Sequence, residues 1–187
     1  MTAHRSIRRG KRAGGRPTRL ARTASFGVLA GAAGTAAMDA LLYLRYRGGG
    51  GTQGPCEWEF SGGVKGWEDA SAPGLVGKRI LDSAMGRQPP DKWARSTQNI
   101  MHWATGVGWG GQYGVIMGAW NLSPWAGGLV FGPLVWLTGY VVLPVVKIYQ
   151  PIWDYDAKTL AKDLSAHMAY GVTAGAICAA LARSRRT

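Results

Sequence analysis

The sequence predicts an all-α fold: an integral membrane four-helix bundle with a short interfacial amphipathic helix. Three observations carry this expectation. Residues 96–146 contain no Asp, Glu, Lys or Arg, a run long enough for two spans of about 20 residues each. Residues 23–44 are apolar or small except for Asp39, and residues 164–182 are again uncharged. Each of these runs carries small residues four apart, the spacing that lets helices approach closely in lipid. The chain has 187 residues, with 47% apolar content, 17% charged residues and 29 glycines. That apolar content excludes a wholly disordered chain. The charge-free run excludes an ordinary soluble enzyme, and the net charge of +12 does not make a nucleic-acid binder. The basic residues cluster in a tail with no aromatic ring before Phe26, and so without a base-stacking element.

Residues 1–22 hold eight bases and no acid, and such a like-charged block reads as a disordered tail. The first span, residues 23–44, carries Gly27 and Gly31, then Thr35 and Asp39. A competing reading makes it a twin-arginine-like signal peptide, from Arg8-Arg9 and the small residues near Ala36-Ala37. The apolar run through Leu41-Leu42-Tyr43-Leu44 continues past that cleavage site. Residues 45–98 form a mixed-charge extracytoplasmic loop that opens on Gly48-Gly49-Gly50-Gly51. Within it, residues 74–86 place Leu75, Val76, Ile80, Leu81, Ala84 and Met85 opposite Lys78, Arg79 and Asp82. This predicts a short helix on the membrane surface or packed on the bundle, started by Pro73 and broken by Pro89-Pro90. A second helical start at Asp91 leads into span two.

Span two, residues 99–119, reads Gly106, Gly110, Gly114 and Gly118. Asn121, Ser123 and Pro124 form a turn between Trp120 and Trp125, rings suited to a membrane–water boundary. Span three, residues 126–146, carries Gly128 and Gly132, with Pro133 expected to kink it and Pro144 near its end. Span four, residues 164–182, carries Gly171 and Gly175 before the short basic tail of residues 183–187. The Lys/Arg bias places both termini in the cytoplasm. The lipid bilayer is the first expected partner, with anionic lipid at the basic N-terminal tail. A homo-oligomer or a larger membrane complex is also open; no nucleic acid is expected.

Continuing the small-residue stripes towards the outer loops reaches Asp39, His102 and His167, with Tyr140 at similar depth on span three. At about 1.5 Å rise per residue these lie roughly 6–10 Å inside the flanking charges. An intramembrane carboxylate needs a partner, and a histidine carries a proton near neutral pH. Asp39, His102 and His167 are also a donor set for a divalent metal, so a metal is the alternative to an expectation of no cofactor. The simplest reading is that they glue helices together, with Asp39 on Arg45 or Arg47. Cys56 and Cys178 fall on opposite sides and form no bridge. Asp154 and Asp156 read as a solvated turn. No paired-carboxylate motif and no activated Ser or Cys argues for an enzyme.

The His102-Trp103 pair, Tyr113, the Trp125-x-Gly-Gly turn, Pro144, Trp153 and the run Ala166-His167-Met168-Ala169-Tyr170-Gly171 together resemble the YagU-like family of bacterial inner-membrane proteins. Gly27-x-x-x-Gly31 and Pro89-Pro90 fit the same pattern. The Gly/Trp-rich insert at residues 48–72 and the long basic tail depart from it. The resemblance implies a multi-pass bacterial inner-membrane protein and no established reaction. The expected function is a small non-enzymatic membrane component, for permeation or stress, that uses the Asp39/His102/Tyr140/His167 layer. The alternatives are a membrane-embedded metalloenzyme on the same layer and a structural subunit.

Overall fold

The computed structural model describes residues 15–120 and 122–184. Six helices follow in order: α1 (Gly15–Gly48), α2 (Pro55–Glu59), α3 (Ala72–Met85), α4 (Ala94–Trp120), α5 (Pro124–Val145) and α6 (Ala157–Arg183). Among the described residues there is no strand. Among the described residues three helices are long and apolar enough to cross a membrane: Thr18–Gly48 within α1, Pro124–Val145 (α5) and Ala157–Arg183 (α6). The sequence leads one to expect four. The 27-residue α4 has the length, about 40 Å at 1.5 Å per residue. Its glycines, tryptophans, Gln98, Asn99 and Gln112 dilute its apolar character, although it is charge-free after Arg95.

The boundaries differ from expectation mainly at the ends. Helix α1 already runs from Gly15, so Arg16, Arg19 and Arg22 belong to a helix and not to a structureless tail. The rest of the expected N-terminal tail and residues 185–187 lie outside the described residues. Helix α5 stays continuous through Pro133. Helix α6 begins earlier than expected because Asp156 caps it. Its Oδ1 accepts from the Thr159 N–H at 3.0 Å, satisfying one of the orphan donors of the first turn. That gives Asp156 a structural role inside the turn the sequence suggests. Helix α3 starts with Pro73 in its first turn and ends at Gly86, whose φ of 63° is a left-handed helix stop. It packs on α4: a Cβ at Gly74 would meet Gln98, and one at Gly77 would meet Thr97 and Met101.

The long helices pair through their small-residue stripes. Helices α1 and α4 run antiparallel in strict four-residue register. Gly118 faces Thr23, Gly114 faces Gly27, Gly110 faces Gly31 and Gly106 faces Thr35. A Cβ on Gly31 would lie 2.7 Å from the Gly106 carbonyl oxygen and 2.9 Å from Gly110 Cα. Helices α5 and α6 pair in the same way. A Cβ on Gly128 would lie 2.8 Å from Gly175 Cα, and one on Gly171 would lie 2.6 Å from the Gly128 carbonyl oxygen. Backbone thus touches backbone along both seams. Helix α1 also packs on α6 and joins the two pairs, where Gly34 leaves room for the Tyr170 ring.

Tyr113, Phe131 and Tyr170 fill the junction between the pairs, with the Tyr113 and Phe131 ring centroids 4.6 Å apart. The Tyr170 hydroxyl donates to the Gly106 carbonyl at 2.7 Å. The Tyr113 hydroxyl donates to the Pro124 carbonyl, fixing the turn between α4 and α5. By contrast, the outer surface is apolar: Val130, Leu134, Leu137, Val141, Val142 and Val145 of α5 are all exposed. Small residues inside and large aliphatic residues outside suit lipid as solvent.

The seams predict a contrast within α4. Gly110→Ala pushes a methyl into the α1 backbone and should destabilise the purified chain in detergent by about 1–3 kcal/mol. Gly108 faces open space, so Gly108→Ala should be neutral or stabilising by up to about 1 kcal/mol. Equal thermal midpoints for the two variants would contradict the assigned register.

Candidate functional site: a carboxylate–imidazole pocket

The register that pairs Gly106 with Thr35 next brings His102 onto Asp39. His102 Nε2 lies 2.9 Å from both Asp39 carboxylate oxygens. Asp39 is only 5% exposed, and an unpaired carboxylate at such a place is costly. The arginines considered as its partners go elsewhere. Arg45 donates to the Lys162 carbonyl at 2.7 Å and to Ser165 Oγ at 2.8 Å, tying α1 to α6. Arg47 turns back to the Thr52 and Gln53 carbonyls of its own loop.

The other two members of the expected layer lie on the second seam. His167 Nδ1 sits 3.0 Å from the Asp163 carbonyl oxygen and 3.4 Å from Asp163 Oδ1. Tyr140 of α5 lies near the same Asp163, and its ring packs on Trp136, Tyr149 and Tyr155. The single four-residue layer is therefore two separate clusters, Asp39/His102 and Tyr140/Asp163/His167. The reason is geometric. Each stripe faces its partner helix and not a common bundle axis. Among the described residues no three His, Cys, Asp or Glu side chains converge to hold a metal, so Asp39, His102 and His167 do not form the metal site considered above. Cys56 and Cys178 are both free thiols, as expected.

The structure adds residues that sequence reading missed. The 53–71 segment folds back over the ends of α1 and α4 at which Asp39 and His102 lie. Glu59 Oε1 accepts from the Trp103 indole N–H at 3.0 Å and lies beside Asp39 and His102. The face of α4 that continues its glycine stripe holds the segment down. Arg95 donates to the Phe60 carbonyl at 2.7 Å, Gln98 donates to Ser61 Oγ at 3.1 Å, and the Ser71 N–H donates to Gln98 Oε1 at 2.7 Å. Trp67 anchors the far end, its indole N–H donating to the buried Pro89 carbonyl at 2.9 Å. The segment and the two helices line an open cleft of about 410 Å³, with Asp39, Glu59, Asp69 and His102 among its polar residues. Asp39 and Glu59 are a pair of neighbouring carboxyls, which the sequence did not reveal. Only the cumulative contacts of the loop bring them together.

Burial pushes the Glu59 carboxyl above its ordinary value, and the negative charge of Asp39 adds to the rise. The Trp103 hydrogen bond and the nearby His102 act in the opposite direction without cancelling it. A carboxyl raised in the folded state favours folding while protonated, and that contribution is lost as pH rises through its folded value. Comparison with family models, curated proteins and solved structures gives no match to this chain.

Glu59→Gln should accordingly make the chain more stable than wild type at pH 7 in detergent. The difference should close as the pH falls to about 4, near the ordinary glutamate value. A difference that does not change with pH, read from thermal midpoints across that window, would contradict the burial of Glu59 against Asp39.

Proposed function

We propose that this chain is a four-span inner-membrane protein of the YagU-like type that binds a small cation at its extracytoplasmic end, without catalysing a reaction. Several features support four spans. Helix α4 lies beside α1 from Thr23 to Asp39, so if α1 crosses the bilayer then α4 occupies the same depth. Trp120 and Trp125 bracket the short turn at the opposite end. In this reading the Arg-rich N-terminus and the C-terminus face the cytoplasm, and anionic lipid meets the basic tail.

The observation that carries the binding reading is buried Asp39 paired with half-buried His102 in one wall of an open cleft beside Glu59. An ionisable pair kept at membrane depth marks a solute or proton site. Permeation through a single copy is disfavoured by the backbone contact along both seams and by the aromatic plug of Tyr113, Phe131 and Tyr170. A conduction role would place the path between copies.

Thermal unfolding of the full chain in detergent, at constant ionic strength, tests the reading. A bound cation at about a hundredfold above its Kd should stabilise the fold by about 2.7 kcal/mol. Asp39→Asn should remove the effect, and exchanging the anion should change nothing. Failure of every inorganic and organic cation tried to shift the midpoint would reject it. A periplasm-active reporter fused after Thr187 should be silent, and activity there would reject the orientation.

A further inference from the structure

We propose that the ligand of this pocket is a small alkylammonium ion, an inference that rests on the cation-binding reading above. The lining combines two chemistries. Asp39, Glu59 and Asp69 supply carboxylates, and Ser61, Gln98 and Asn99 supply neutral polar groups. No Lys or Arg lines the cavity, although the chain as a whole carries a net charge of +12. Three carboxyls against the single imidazole of His102 leave the lining acidic within a basic protein, which favours a cation.

The remaining walls are apolar and aromatic: Leu42, Val64 and Trp58. The Trp58 ring is held in place by Tyr43 and Tyr46, with centroids 5.4 and 6.2 Å away. Tyr43 is itself fixed by donating to the Gln53 carbonyl at 3.2 Å, and Tyr46 by accepting from the Gln53 N–H at 3.0 Å. An indole fixed in the same wall as the carboxylates favours an organic cation over a hydrated metal ion. An inorganic divalent cation would instead require converging oxygen or nitrogen ligands. Among the described residues no three His, Cys, Asp or Glu side chains converge in that way. A volume of about 410 Å³ falls in the range of pockets that enclose small organic ligands. The ammonium group is accordingly assigned to the Asp39/Glu59 end and the alkyl body to Trp58, Leu42 and Val64.

Isothermal titration of the full chain in detergent with n-butylammonium chloride tests the assignment. n-Butanol serves as the uncharged analogue, and magnesium and zinc chlorides as the inorganic probes. Butylammonium should bind at least about tenfold more tightly than butanol. Glu59→Gln should weaken it by about tenfold or more, and Trp58→Leu by about threefold to tenfold. The exposed Asp154→Asn, which removes a carboxylate far from the pocket, should bind as wild type does. Both pocket variants leave the seams untouched, and the circular-dichroism spectrum of each should match that of wild type. Equal binding of butylammonium and butanol, or no loss in Trp58→Leu, would overturn the assignment. Binding of a divalent metal alone, lost in Glu59→Gln, would overturn the alkylammonium class and leave the cation pocket standing. Absence of binding by every cation would remove both.

Discussion

The close approach of helix backbones along the two glycine seams is the constraint on which the rest of the structure depends. In lipid, helices gain nothing by hiding apolar surface from one another, so contact must come from packing and from polar pairs. Gly27, Gly31, Gly106, Gly110 and Gly114 remove the side chains that would hold α1 and α4 apart. Once the backbones touch, the register has no freedom left. A one-residue slip would set Cβ atoms against carbonyls and would separate Asp39 from His102. The seam is therefore both the main packing device and the ruler that positions the polar pair at its end.

The same logic explains why the two halves differ chemically. The α1/α4 seam ends beneath the 53–71 segment, whose Trp58 and Glu59 join Asp39 and His102 around a water-accessible cavity. The α5/α6 seam ends in Asp163 and His167 beneath a cluster of Tyr140, Tyr149 and Tyr155. There the rings pack on one another, and burial followed by the Asp163 charge pushes the Tyr149 phenol up to about 12. The Tyr149 phenol of this second cluster thus stays protonated at physiological pH, and the rings hold the ends of α5 and α6 together. The first, with a cavity and a raised carboxyl, is the chemically adaptable end of the molecule.

Much of this was readable from residue spacing. The four-residue stripes, the charge-free run and a helix expected at residues 74–86, found at Ala72–Met85, all follow from helical periodicity or composition. The pairing of stripes did not follow. One small-residue stripe docks on another with little chemical distinction, so Gly106–Gly118 carries no mark that selects Gly27–Gly31 over Gly128–Gly132. Reading the stripes as facing a common axis merged two clusters into one layer and suggested a metal site. Glu59 was hidden for a different reason. It sits in an aperiodic, glycine-rich loop whose fold-back depends on individual hydrogen bonds from Arg95, Gln98 and Trp103.

The pairing of α1 with α4 is most directly tested by a disulfide across the seam. A Cβ built on Gly106 lies 3.2 Å from the Thr35 Cβ, close to the roughly 3.5–4.5 Å that a disulfide spans. In a chain carrying Cys56→Ser and Cys178→Ala, oxidation of Thr35→Cys/Gly106→Cys in native membranes should give a bond within one chain. Thr35→Cys/Gly128→Cys should give none. A bond in the second pair and not in the first would show that the stripes dock differently, and that the carboxylate–imidazole pocket is wrongly assembled.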